Sequence, residues 1–565
     1  MSKKAWYIGN TTVRNAKRLK DGLRVLLNSH LHGNLKGKKN EQEFAKLLHE
    51  KGVVFVKRIN DSPDNDASDV GRKWRAALMQ LGFIKPPFSD TPFTITPNGM
   101  RLVKSKTMPS EQECFLRALL AYQVPSIIED SFSVPVFSPL RIVLEVLYML
   151  ECRDLDATID KIEMASIVQL TTSLEEVNDV VDRIAQYRHI LNDITDSREK
   201  KRFIQEYLQS METHSQSANT LVDYADSNFR YLKLTGLFVE KGNKLCFADH
   251  KRTIIEQILS ESYSPIPESE YLETLWNGAK LPTDNAPKAI EVIQTTAQLL
   301  KENGQTVQLP NLEKMNIPDL SSLRLELEDD WLKVLEKKYA QEQVNQWQDI
   351  LQYLQALTHP NRRNSIIPQG EGAAYFEWAI WRAFLAINSL CNEPWEARRF
   401  KIDQDFLPLH PAPGNGPDMI FEFKDFVIVV EVTLTQSSRQ EAAEGEPVRR
   451  HVAEVVDHYE QKGKRVYGLF LANKIDTNTA ETFRIGVWYR TDDSRMALRI
   501  VPLTLEQFIH LFEVGFKSKG RLDHQLVEQV IRDCLVESNN DAPEWKRRIQ
   551  QQIDRTIIQL SNKTV

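Results

Sequence analysis

Apolar and polar positions change period several times along this chain, and the changes divide it into blocks. In SDVGRKWRAALMQLGF, Val70, Trp74, Ala77 and Leu81 recur at helical spacing, and Gly82 stands where a helix stops. A short strand, a proline-containing turn, a second strand FTIT and a helix opened by Thr96 and Pro97 follow. The stretch DYADSNFRYLKLTGLFVEKGNKLCFADHKRTIIEQIL repeats that layout. Here Ala225, Phe229 and Leu232 mark a helix, Gly236 ends it, EKGNK turns a hairpin, and Asp249 caps the next helix. Helix, two-stranded wing, helix is the pattern of a winged helix-turn-helix. From about Pro265 to His359 helical periodicity dominates, and SLRLELEDDWLKVLEKKYAQEQVNQWQDILQYLQAL reads as one or two long amphipathic helices. The polar, turn-rich NRRNSIIPQGEG then suits a boundary.

Beyond that boundary the periods alternate. A helix, GAAYFEWAIWRAFLAIN, precedes two apolar strands in GNGPDMIFEFKDFVIVVEVT. A helix entered at Pro447, the strand VYGLFLAN, and strand and helix segments around FRIGVWYR and ALRIVPLTLEQFIHLF follow. Helix, strand, strand, helix, strand is the order of an α/β layered core.

At 565 residues the chain is too long for one core and divides into several domains. A composition of 41% hydrophobic and 27% charged residues places it among soluble globular proteins. No apolar run approaches the ~18 residues of a membrane span. MSKKAWYIGN lacks the apolar stretch of a secretory signal, so the expected compartment is the cytoplasm. Cys114, Cys152, Cys246, Cys391 and Cys534 are scattered singly, with no CxxC pair, and read as reduced core residues. The net charge of -6 hides an asymmetry. Met1 to Ser110 holds 21 Lys and Arg against 9 Asp and Glu, a net of +12, so the remainder carries -18. A basic end on an acidic chain is the electrostatic footprint of phosphate-backbone binding, or else a solvated basic tail. The expected exposed faces of the two winged segments carry Arg72, Lys73 and Arg75 in the first and Asn228, Arg230 and Lys233 in the second. Arg can bond guanine in bidentate fashion and Asn adenine, whereas Lys mostly holds phosphate, so double-stranded DNA is the expected partner.

The chemistry concentrates in the two apolar strands. Asp418, behind a proline, stands at the mouth of the first, and Glu431 near the end of the second. Desolvating a carboxylate costs several kcal/mol unless a partner compensates. Two such acids point to a divalent cation, and hard oxygen ligands with positions left for water and phosphate describe a Mg²⁺ site acting on a phosphodiester. The Val432 carbonyl is a further expected ligand. Thr433 occupies the place where the generic nuclease motif has a lysine. In EGEPVRRH, Glu444 can reach the same strand ends to hold metal or water, and His451 can act on a proton or a phosphate oxygen. Glu377 lies between Phe376 and Trp378, either drawn into the site or pointing at solvent from the rim.

GNGPDM, FVIVVEVT and EPVRRH, in that order and spacing, closely resemble the cleavage domain of the AlwI-type family of type IIS restriction endonucleases, which includes site-specific nicking enzymes. The likeness extends to NFRYLKLTGLF and, more weakly, to KAWYIGN. In that family the acid-bearing strand likewise reads E-V-T. The resemblance implies a mixed, mainly α fold with an α/β C-terminal domain. Its expected parts are two winged-helix-like DNA-recognition subdomains (1–110 and 111–263), a helical linker (264–365) and a PD-(D/E)xK-like nuclease core (366–565). It further implies Mg²⁺-dependent cleavage a few bases outside a short asymmetric site, active-site acids at Glu377, Asp418, Glu431 and Glu444, and a histidine at His451. A transient homodimer or small partner subunit for the second strand, and a cognate methyltransferase, are the other implied partners. A strand-specific nickase and a non-catalytic DNA-binding regulator are the alternatives.

Overall fold

Helices carry most of the described residues, which also form four sheets of two to four strands each. The computed structural model describes residues 4–562, apart from 14, 33, 36, 57–66, 86–93, 127–132, 214–215, 360–365, 437–438 and 519–521. Two compact units emerge, Met1–Trp331 and Leu332–Val565, and the division falls within the helix Ile317–Glu342. No helix among the described residues is long and apolar enough to cross a membrane.

In the first unit, the helix Ser68–Gln80 buries Trp74, Ala77 and Leu78 and ends at Gly82, whose φ is +69°. A single bridge, Ile84↔Ile95, stands where two strands were expected; the proline-containing turn and Phe93 lie outside the described residues. The helix Pro97–Lys104 opens as read, with the Gly99 N–H donating to Thr96 Oγ1 at 3.0 Å. In the second segment the helix Ala218–Lys233 leads through Gly236 into antiparallel strands Phe238–Lys241 and Lys244–Phe247. Gly242 and Asn243 both have positive φ, +58° and +62°, as a two-residue hairpin turn requires. A third strand, Ile159–Asp160, pairs with Lys244–Phe247 and was not expected. Asp249 does not cap the following helix: it heads a 3₁₀ turn without a side-chain cap, and its carboxylate meets Lys241 at 3.2 Å.

Two further features of this unit were invisible along the chain. The segment from Ala5 to Asn10 is threaded against the helix Ala218–Lys233. Trp6 donates from Nε1 to the Thr171 carbonyl at 2.7 Å, and the Ile8 N–H donates to Asn228 Oδ1 at 2.8 Å. Ser227 returns a bond to the Ile8 carbonyl, and Gly9 passes so close to the Tyr231 ring that a Cβ would lie 1.9 Å from it. The second feature is a buried chain of charges. Lys251 meets Glu328 at 2.6 Å, Glu328 meets Arg324 at 3.0 Å, Arg324 meets Glu113, and Arg117 bridges Glu113 and Asp284 at 2.9 and 2.6 Å.

The second unit is built on a four-stranded mixed sheet. We label its elements α1 (Gly372–Ile387), β1 (Met419–Glu422), β2 (Phe426–Thr433), α2 (Glu446–Glu460), β3 (Arg465–Ala472), β4 (Ile500–Thr504) and α3 (Leu505–Lys517). The strand order is β4-β3-β2-β1, with β1 antiparallel to β2 and the other pairs parallel. Central β2 has neighbours on both edges and is covered on both faces, which is why it reads as an unbroken apolar run rather than an alternation. Phe426 through Val430 are all buried, each side chain stabilising by about 1.5–3 kcal/mol, enough together to offset an acid at the strand's end. On one face α1 packs with Phe384 stacked on Phe421, ring centroids 4.1 Å apart. On the other lies α2, whose Tyr459 hydroxyl donates to Glu422 at 2.9 Å.

Candidate active site

Residues directly opposite one another in an antiparallel pair share a face, with Cβ atoms about 5 Å apart. The register Met419↔Val430, carried one residue outward, sets Asp418 against Glu431 on the α2 side of the sheet. The two acids, thirteen residues apart in sequence, thus become neighbours through the hairpin alone. Asp418 is steadied by the Val432 N–H, which donates to its Oδ2 at 2.9 Å, and Val432 itself pairs in register with Leu471 of β3.

Three more predicted residues gather around this pair. His451 of α2 is 4% exposed and places Nδ1 2.7 Å from Glu431 Oε1, while its Nε2 is buried without a hydrogen-bond partner. Glu377 of α1 is not a rim residue: it is 4% exposed, and its Oε2 accepts from the Ala412 N–H at 2.7 Å. Glu444 is half-buried in the π-helical turn Glu441–Gly445 that leads into α2. Pro447 stands in the first turn of α2, where its missing N–H is tolerated.

The electrostatics are those of acids crowded together with too little positive charge to offset their burial. Burial, then the charge of Asp418, raises Glu377 to about 9. Burial and the charge of Glu444 raise Glu431 to about 8. Asp418 is pushed well above the carboxylate range by burial and by Glu431. Burial and the neighbouring Arg450 lower His451, so its ring is neutral near pH 7. One cation was overlooked by sequence reasoning. Arg399 acts electrostatically on both Glu431 and His451, and its backbone N–H donates to the Asp418 carbonyl at 3.2 Å. Nothing in the run EARRF distinguishes Arg399 from Arg398 before the fold is known.

Among the described residues no three His, Cys, Asp or Glu side chains form a metal cage. Mg²⁺ does not require one, since it is usually held by one or two carboxylates and completed by water and phosphate. Glu431 pushes Asp418 up and Glu444 pushes Glu431 up; acids crowded in this way are relieved by a divalent cation, so the donor set fits a hard metal.

The expected DNA-contacting residues fare differently in the two segments. Arg72 is exposed and paired with Asp69 at 2.5 Å, Lys73 meets the same carboxylate at 2.6 Å, and half-buried Arg75 pairs with Glu41 at 2.7 Å. In the second segment the expected exposed face is an internal one. Asn228 is 0% exposed, with its side chain bonded to the Ile8 N–H and to Gln169. Arg230 reaches the Val13 carbonyl at 2.8 Å and Asp226 at 3.1 Å, and Lys233 is tied to Glu240 at 2.7 Å. These three hold the N-terminal segment and the hairpin together, because a polar side chain on a helix facing another part of its own unit is bonded there.

The family profile of the AlwI restriction endonuclease matches residues 79–511, spanning both the hairpin segment and the acid-bearing sheet. The chain belongs to the AlwI restriction endonuclease family. As an AlwI-family member it is a site-specific deoxyribonuclease. No curated protein matches it. Among solved structures, the small subunit R.BspD6I2 of the heterodimeric restriction endonuclease R.BspD6I is 26% identical, covering 36% of this chain and 97% of that one at a TM-score of 0.28. The restriction endonuclease FokI is 14% identical, covering 93% and 99% at a TM-score of 0.26. The BpuJ1 endonuclease binding domain, solved with modified DNA, is 13% identical, covering 49% and 96% at a TM-score of 0.34.

Proposed function

We propose that this AlwI-family member is a type IIS enzyme that hydrolyses DNA at a fixed short distance from an asymmetric site, with Asp418, Glu431, Glu377, Glu444 and His451 as its hydrolytic centre. The observation that carries this reading is the placement of half-buried Asp418 opposite buried Glu431, with Glu377 and His451 closing around them. The parts are a recognition half of two winged-helix-like subdomains (1–110 and 111–263), a helical linker (264–365) and a PD-(D/E)xK-like core (366–565).

Asp418 and Glu431, with the Val432 carbonyl, would hold Mg²⁺, which when bound polarises the phosphoryl oxygen and lowers the pKa of an attacking water. The protein's own part is proton handling and positioning. With Glu431 ionised, the Nδ1–H of His451 donates to it, and the buried Nε2 keeps a lone pair that can take a proton from water. Glu377, whose raised pKa keeps it protonated near neutrality, is an acid that a bound cation would help to ionise. A single centre of this kind cuts one strand per encounter. Double-strand cleavage then needs a transient homodimer or a small partner subunit, and a lone chain gives a nick. Arg72 and Arg75 remain the proposed DNA contacts, and a cognate methyltransferase the proposed companion that protects the host site.

Digestion of supercoiled plasmid with Mg²⁺ tests the reading. Wild type should give linear or persistent open-circular product, which distinguishes a paired cutter from a nickase, and Asp418→Ala should leave the plasmid supercoiled. Undiminished Mg²⁺-dependent cleavage by Asp418→Ala would refute the assignment.

A further inference from the structure

We infer that Arg399 meets the scissile phosphate, doing from the loop ahead of β1 what the missing motif lysine does from the strand. The inference rests on the nuclease reading above and names a substrate contact that this reading lacks. The motif position itself holds no cation: Thr433 is buried, and its Oγ1 accepts from the Thr435 N–H at 3.2 Å. A phosphodiester brought against several carboxylates needs positive charge beside it, both to enter and to stabilise the charge that builds up during hydrolysis.

Arg399 is placed and held for that task. Its neighbour Arg398 forms an antiparallel bridge with Met419 at the start of β1, which sets Arg399 opposite Asp418, to whose carbonyl its N–H donates. The half-buried guanidinium lies over the loop that leads into the acid pair. Nη2 donates to Asn415 Oδ1 at 2.7 Å and Nη1 to the Pro417 carbonyl at 3.3 Å. Gly416 is needed beneath it, since a Cβ there would lie 2.2 Å from Nη1. The GNGP run therefore does more than turn the chain, because it cradles a cation. All these partners are neutral. Arg398, by contrast, is consumed by a two-pronged ion pair with Glu336 at 2.8 and 2.9 Å. A guanidinium has five N–H groups in a planar fork, and with two engaged by the loop Arg399 keeps three for a phosphate.

The test uses the full-length protein and a duplex with one mapped cleavage position. Arg399→Ala should lower the single-turnover cleavage rate by about 10²-fold and Arg399→Lys should restore part of it. Asn415→Ala, which removes one support, should show a smaller loss in the same direction. Binding is then measured without metal on the same duplex carrying a neutral methylphosphonate at the scissile position. Wild type should bind this duplex more weakly than the natural one, whereas Arg399→Ala should bind both alike, because the contact is already gone. Wild-type cleavage by Arg399→Ala overturns the assignment. So does a slow Arg399→Ala that keeps the full methylphosphonate penalty, which would make the residue a loop support only. If Arg399→Ala does not fold, the Lys and Asn415 variants carry the same comparison. Absence of cleavage by wild type itself sinks the nuclease reading instead, and this one with it.

Discussion

The two units bury carboxylates in opposite ways. In the first, Glu328 lies 3% exposed between Lys251 and Arg324; burial alone would raise its pKa, but the two cations outweigh it and hold the group down to about 2. In the second, Glu377 and Glu431 are buried to a similar degree, face other acids, and rise to about 9 and 8. The same cost of leaving water is thus met internally in one place and left standing in the other. A buried ion pair of the first kind organises a fold. An uncompensated cluster of the second kind weakens it, and is understandable where an external cation and a substrate complete the site.

The contrast can be broken most decisively at Asp418. Asp418→Asn should reduce cleavage on the order of 10³-fold while leaving the melting temperature unchanged or higher, because it relieves repulsion. A large loss of thermal stability in a melting scan would mean that the cluster is structural. Glu328→Ala should do the reverse, costing about 3–5 kcal/mol in urea unfolding of the first unit's transition, since it strands Lys251 and Arg324 in the interior. Acid sharpens the same point. Glu328's folded pKa lies below its ordinary value near 4.5, so its contribution is fully present above that value and drains away as pH falls toward 2. The expected loss is on the order of 3 kcal/mol between those limits. A first-unit unfolding transition equally sharp and equally placed at pH 5 and pH 3 would contradict it. The smallest effect is metal-linked. Mg²⁺ at ten- to a hundredfold excess over its Kd should stabilise wild type by about 1–3 kcal/mol and Asp418→Asn by clearly less, as read from melting curves.

What the sequence revealed depended on how far apart the interacting residues lie. The Gly242–Asn243 turn, the Gly82 and Gly236 stops and the pairing of Asp418 with Glu431 are local: turn chemistry and strand period determine them within a few tens of residues. Glu377 was legible as a candidate because an acid in a run of aromatics is conspicuous, though only the fold settles that it turns inward. Asn228, Arg230 and Lys233 misled because helical periodicity tells which residues share a face but not what covers that face. For Asn228 and Arg230 the cover is a segment more than 200 residues earlier in the chain, and for Lys233 it is the hairpin strand that follows. Arg399 was missed for the same reason, since its significance comes from a loop sixteen residues downstream that folds back beneath it.

That early cover has a bearing on how the protein is made. Trp6 and Ile8 find partners at Thr171 and Asn228, 165 and 220 residues further on, so during synthesis this stretch waits, apolar and unmatched, until they have been made. The first unit closes late during translation, and a bulky fusion placed ahead of Ala5 would be carried into that closing step.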